Sequence, residues 1–190
     1  MARIHFAEPT PNPLAYKLRL DQKVTTGGGK QFNKKEECWD HAIASKFFDI
    51  HGVESVFFMD DFITVNKTPG GIWDFIFYMA NEILTGAGEI SPLEVGENQG
   101  PAKVVEDGEF EQLNAEDKLS LIDRVIDETI RPGLMRDGGN LKILGLEENR
   151  LLVQYQGACG SCPSSAGATL SYISNMLQSR VSPNLQVIPS

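Results

Sequence analysis

The sequence predicts an α+β protein built as two small domains, 1–85 and 115–190, joined by an acidic flexible linker, 86–114. Three observations carry this. Both halves alternate β-branched or aromatic runs with segments of helical period. Residues 86–114 lose any apolar period and hold seven acidic residues against one basic. The apolar fraction of 41 % is ample for a buried core in each half.

Residues 3–6 and 14–20 have the composition of short strands, separated by Glu8-Pro9-Thr10-Pro11-Asn12-Pro13. Three prolines in five positions exclude helix and central strand, so a fixed loop is expected there. Gly27-Gly28-Gly29 predicts a turn, and no phosphate-binding frame follows it. From Lys34 to about Ile50, Trp39, Ile43, Phe47 and Ile50 recur at helical spacing as the apolar side of a helix. Val53–Met59 and Phe62–Lys67 predict a hairpin turning at Asp60-Asp61, ended by Pro69-Gly70-Gly71. A second helix follows, with Ile72, Phe75, Ile76, Met79 and Ile83 as its apolar stripe.

After the acidic stretch, which its own charge should extend, Asn114 and Asp117 form a capping-box pattern with Asp in place of Glu. Leu119, Ile122, Val125, Ile126 and Ile130 then mark a one-faced helix, closed or kinked at Pro132-Gly133. Asp137-Gly138-Gly139-Asn140 predicts a tight turn, and 141–146 and 150–155 two strands around Glu147-Glu148-Asn149. A last helix from about Pro163 buries Ala166, Leu170, Ile173 and Leu177, and 185–188 predicts a final edge strand.

Between the second of those strands and that helix lies Gly157-Ala158-Cys159-Gly160-Ser161-Cys162-Pro163-Ser164-Ser165. Gly157 and Gly160 let the backbone turn sharply and approach a bound group closely. Pro163 suits the first turn of a helix, which puts Cys162 near the cap, where the helix dipole favours a thiolate. A soft-metal or redox site is the natural expectation. Two cysteines are not a complete site, because structural zinc normally takes four protein ligands and iron–sulfur clusters are usually held by four thiolates. Among the other soft ligands, Cys38, His41 and His51 all lie far upstream. Cys38 and His41 stand one helical turn apart, but nothing supplies the remaining ligands there. On spacing alone, the pair is a redox dithiol, half of a site completed by a second chain, or a packed pair without chemistry.

Composition narrows the setting. Three unevenly spaced cysteines do not make a secreted disulfide framework, no window approaches the ~20 apolar residues of a membrane span, and the start of the chain lacks an apolar signal stretch. A reducing cytoplasm is expected. The formal charge of −9 and the lack of a basic patch argue against nucleic acid as a partner.

Ile130-Arg131-Pro132-Gly133-Leu134, Asp137-Gly138-Gly139, the run 157–165 and Thr169-Leu170 together closely resemble the C-terminal domain of NifU, which defines the Nfu-type iron–sulfur scaffold and carrier proteins. Thr10-Pro11-Asn12-Pro13 resembles the opening motif of the Nfu N-terminal domain. The stretch 52–58 followed by 62–65 resembles its central hairpin. Asn140 stands where the family usually has an acid, and Cys38 and the Gly27–Lys30 stretch match none of these motifs.

The resemblance implies a non-enzymatic scaffold or carrier. Cys159 and Cys162 from each of two subunits would supply four thiolates to one bridging 4Fe–4S cluster, with a 2Fe–2S form left open. It also implies a cluster donor and apo-protein clients as partners, and a homodimer that forms around the cluster from a monomeric apo form. Two other readings stand beside it: a thiol–disulfide oxidoreductase using the same pair, and structural zinc at a dimer interface.

Overall fold

The computed structural model describes residues 2–96, 110–160 and 165–190. It divides into two compact units, the first made of Met1–Gly96 with Asp137–Gly139 and Gln156–Ser161, the second of Glu97–Arg136, Asn140–Tyr155 and Cys162–Ser190. The α+β class is as the sequence predicts.

The first unit is built on a sheet of β1 (Ile4–Pro9), β2 (Ala15–Leu20), β4 (Gly29–Phe32), β5 (Val53–Met59) and β6 (Phe62–Lys67), in the order β1-β2-β6-β5-β4. Strand β3 (Thr25–Thr26) precedes β4 and pairs in parallel with β7 (Leu93–Glu94). The hairpin β5–β6 turns at Asp60, whose φ of 48° is the left-handed conformation that Asp tolerates better than most residues. The strand pairing sets Tyr16, Val65, Val56 and Phe32 in one row and Leu18, Ile63 and Phe58 in the next. Most of these are buried, together with Phe47, Ile76, Ala80 and Leu84, in one hydrophobic core.

Several elements depart from expectation, each for a local reason. Strand β1 runs through Pro9, which is permitted because β1 is an edge of the sheet and the missing N–H costs no ladder bond. Strand β4 pairs with β5 although Gly29-Lys30-Gln31-Phe32 has little strand character of its own. The expected helix over 34–50 is broken into a 3-10 turn, Lys35–Cys38, and α1 (Ala42–Phe47). His41 caps α1 by accepting the Ala44 N–H on Nδ1 at 3.0 Å. The break shifts the phase, so that Cys38 faces inward and Trp39, expected in the apolar stripe, is 87 % exposed.

In α2 (Trp73–Ala87) the buried face is Ile76, Ala80 and Leu84, while Ile72 and Phe75 are exposed. Two apolar stripes compete on this helix. The one containing the small Ala80 is the one that packs inward. Beyond α2, Ile90 is buried and Val95 N–H donates to Thr26 O, so the first unit's packing runs to Gly96.

In the second unit, α3 (Ala115–Thr129) starts with the predicted cap. Asn114 Oδ1 accepts the Asp117 N–H at 2.9 Å, and Asn114 Nδ2 donates to the Asp117 carboxylate. Pro132 falls in the first turn of α4 (Arg131–Arg136), where it needs no N–H partner. Strands β8 (Gly139–Glu147) and β9 (Arg150–Gly157) turn at Glu148, φ 54°. Helix α5 (Ser165–Arg180) then leads to β10 (Gln186–Pro189), which pairs with β9 in parallel at the edge of the sheet β10-β9-β8. Its buried residues include Ile122, Ile126, Leu141, Leu151, Val153, Ile173, Leu177 and Val187. Of the predicted stripes, Ile122, Val125, Ile126 and Ile130 of α3 and Ile173 and Leu177 of α5 are buried, Leu119 and Leu170 are partly buried, and the side chain of Ala166 lies outside the described residues.

The buried cap carries a pH dependence. His41 is packed among Phe32 and Phe58, and burial lowers its pKa from the ordinary 6.5, with Asp40 opposing. The unfolded chain thus binds a proton at a pH where the folded chain does not. Stability from this site is whole above about 6.5 and falls as the pH drops through that value. His41→Asn keeps a good capping residue but has nothing to titrate. Urea unfolding at pH 7.5 and 5.5 should show wild type losing more stability on acidification than the variant. Equal losses would refute the assignment.

Candidate functional site

The cysteine loop and the Asp-Gly-Gly turn, about twenty residues apart in sequence, come together in the first unit. Ala158 N–H donates to Gly138 O at 3.1 Å, and Gly160 N–H closes a tight turn onto Gly157 O at 3.2 Å. Gly138 has φ +76° and Gly157 φ +65°, conformations that residues with a Cβ resist. Space forbids a Cβ as firmly. One on Gly157 would overlap Gly138 O and Phe57, and one on Gly139 would overlap Cys159 Sγ. The glycines of both turns thus form the bed on which the Cys159 thiol lies. Cys159 is half-buried and Gly160 is exposed. Cys162, the other predicted ligand, lies outside the described residues, as does Pro163.

The sheet face opposite the hydrophobic core holds this loop. Register places Lys17, Thr64, Phe57 and Gln31 in one cross-strand row, with Ala15, Asn66 and Ser55 beside it. Thr64 Oγ1 donates to Gly138 O at 2.7 Å, so that carbonyl accepts from both the sheet and the loop. Asn66 Nδ2 donates to Ser55 Oγ at 3.0 Å and to Gly157 O at 3.4 Å, and Gln31 Oε1 accepts the Gly157 N–H at 2.9 Å.

The Thr10-Pro11-Asn12-Pro13 motif joins them. Asn12 Nδ2 donates to Ala158 O at 3.1 Å, while its Oδ1 accepts the Leu14 N–H, which fixes which end of the amide faces the loop. Sequence reasoning singled out none of Gln31, Thr64 or Asn66. The available signal was a strand run in which Thr64 and Asn66 alternate with Ile63 and Val65.

In the second unit, Arg131 braces the start of β8. Its Nη1 donates to Asn140 Oδ1 at 2.6 Å and to Leu141 O at 2.9 Å, its Nη2 to Asp123 at 3.0 Å, and its Nε to Asp127. Burial pushes the Asp123 pKa up, the nearby Asp127 adds to this, and Arg131 offsets both. Two carboxylates already face this guanidinium. Asn140 supplies the third side-chain acceptor without adding charge.

Cys38 and His41 are brought to no common site. Cys38 Sγ donates to Lys34 O at 3.7 Å, and burial raises its pKa to about 11, helped by Glu37, Asp40 and Glu36. His41 Nδ1 is occupied in its cap. Among the described residues no three His, Cys, Asp or Glu side chains gather into a metal-holding group. Strands β9 and β10 pair in parallel with α5 between them, a β-α-β connection of the kind beside which redox dithiols are found.

Crowding at the glycine bed is testable in full-length protein by urea unfolding. Gly139→Ala should cost about 1–3 kcal/mol through overpacking against Cys159, and Gly138→Ala about 1–2 kcal/mol through its positive φ. Gly133→Ala, in α4 with nothing near its Cβ position, should be neutral or gain up to about 1 kcal/mol. A Gly139→Ala protein as stable as Gly133→Ala would contradict the packing described.

Comparison with known proteins agrees with the motifs. Residues 4–87 match the family described as scaffold protein Nfu/NifU N terminal, and residues 122–188 match the NifU-like domain. A NifU-like protein of Schizosaccharomyces pombe is 31 % identical over 180 residues, covering 90 % of this chain and 66 % of its own. A Drosophila sechellia protein named NFU1 iron-sulfur cluster scaffold homolog, mitochondrial, is 29 % identical over 175 residues, covering 90 % of this chain and 59 % of its own. The chain therefore spans just under two thirds, or less, of these relatives' length. With both domain matches in sequence, and relatives aligned along nine-tenths of its length, the chain belongs to the Nfu-type iron–sulfur cluster scaffold family.

Proposed function

We propose that this protein carries an iron–sulfur cluster as cargo, a 4Fe–4S cluster held between the Cys159 and Cys162 thiolates of two copies, and passes it to apo-protein clients without catalysing a reaction of its own. The observation that supports this best is the setting of Cys159. Cys159 is half-buried, its thiol on a bed of glycines beside the exposed Gly160, in a loop whose backbone is pinned at residues 157 and 158. Ligand arithmetic supports sharing, since iron–sulfur clusters usually take four thiolates and one chain has two at this site. Thiolate ligands of this kind suit a reducing compartment, for which the cytoplasm remains our proposal. The acidic stretch between the halves is proposed as the linker that lets 1–85 meet a client while 115–190 offers the cluster. Thiol–disulfide exchange by the same pair is the second reading, favoured by the β-α-β setting of the loop.

Anaerobic reconstitution with iron and sulfide, followed by Mössbauer spectroscopy, should give one 4Fe–4S cluster per two chains. Cys159→Ser or Cys162→Ser should abolish uptake, whereas Cys38→Ser should leave it unchanged. A full cluster in either loop variant would overturn the ligand assignment. A colourless protein that reduces protein disulfides would favour the exchange reading.

Assembly should follow the cargo. Each chain carries −9 at pH 7, which disfavours close approach of two copies, while a cluster bound only by the dimer stabilises it by mass action. Analytical ultracentrifugation should find the apo protein mainly monomeric and the loaded protein dimeric, returning to monomer when a chelator removes iron. A tight apo dimer would refute cargo-driven assembly, and a loaded monomer would end the shared-site mechanism.

A further inference from the structure

We propose that Asn12, Gln31, Thr64 and Asn66, none of which can ligate a cluster through sulfur, are positioning residues for the cysteine loop and so set how long the cargo stays bound; this rests on the carrier reading above. The case begins with burial. Thr64 is 0 % exposed, Asn66 1 % and Asn12 3 %. A sheet face that only needed covering would be served by apolar residues of similar shape, since exchanging both members of a buried polar contact for apolar groups is nearly neutral or stabilising. Here polar groups from the Thr-Pro-Asn-Pro turn, β4 and β6 instead meet the backbone of 138 and 157–158 at four separate points. Hydrogen bonds are directional, so four of them specify a position where apolar cover would allow sliding.

The contacts also converge on the thiol. Thr64 holds Gly138 O, Gly138 O holds the Ala158 N–H, and Asn12 holds the Ala158 carbonyl, whose amide leads directly into Cys159. Gly139, the next residue of the same turn, lies under Cys159 Sγ. Loosening any of the four side chains leaves the ligand set intact but lets the loop open more often. Each opening exposes the cluster to competing ligands. Retention is thus controlled by groups that meet the loop only through its backbone.

The test uses full-length protein. Thr64→Val keeps the shape and removes the hydroxyl, Thr64→Ser keeps the hydroxyl, and Gln31→Ala provides a second variant on the edge strand should Thr64→Val fail to fold. In the apo state, hydrogen exchange of the peptide containing 156–160 should quicken roughly five- to tenfold in Thr64→Val and Gln31→Ala, as for loss of one hydrogen bond, and stay near wild type in Thr64→Ser. After reconstitution, absorbance should show cluster loss to a chelator accelerated in the same order. Unchanged exchange in both loosened variants overturns the proposal, as does quickened exchange with an unchanged or prolonged cluster lifetime. Failure of wild type to take up any cluster would sink the carrier reading instead, while the exchange data would still decide whether these residues hold the loop.

Discussion

A single carbonyl, that of Gly138, organises the first unit around Cys159. It accepts the Thr64 hydroxyl from one side and the Ala158 N–H from the other. Two turns can share it only where both run through glycine, because a Cβ at Gly157 would overlap that carbonyl and one at Gly139 would overlap the Cys159 thiol. The approach of two backbones, more than any side-chain contact, explains why Asp-Gly-Gly and Gly-Ala-Cys belong to one site.

The central strands of the first unit serve two environments at once. Val56, Phe58, Ile63 and Val65 face a hydrophobic core, while Ser55, Thr64 and Asn66 on the alternate positions are also buried and face polar partners. A strand buried on both sides usually has a continuous apolar run. This one keeps hydrogen-bonding groups where it meets backbone, because a buried amide or carbonyl without a partner is costly. The second unit solves a related problem with charge. Arg131 gathers two helix carboxylates and the start of β8 through one planar group with several donors.

What could be read from sequence divides along the same line. The β5–β6 hairpin, the Asn114 cap and the β8–β9 hairpin are decided within a few residues by turn chemistry and period, and each forms as expected. The strand Gly29–Phe32, the inward face of α2 and the packing of Ile90 depend on partners far along the chain, so the local pattern misleads or says nothing. Trp39 shows how one break in a helix reverses a stripe. At the site, the cysteines and glycines were legible as motifs. Thr64 and Asn66 were not, because in one dimension a buried polar residue is indistinguishable from one facing water on the outer side of a strand.

Cys38 gives the chain an unusual analytical property. With its thiol buried, donating to the Lys34 carbonyl and shifted up to about 11, it is almost wholly protonated at neutral pH, and the thiolate is the form that reacts. Cys38 should therefore react slowly with a colorimetric thiol reagent in the native protein, while denaturant releases it as one further equivalent per chain. The gap between the two counts is an internal standard. It reports in one cuvette whether the first unit is folded and how much of the loop is open to reagents, blocked by cargo or lost to oxidation.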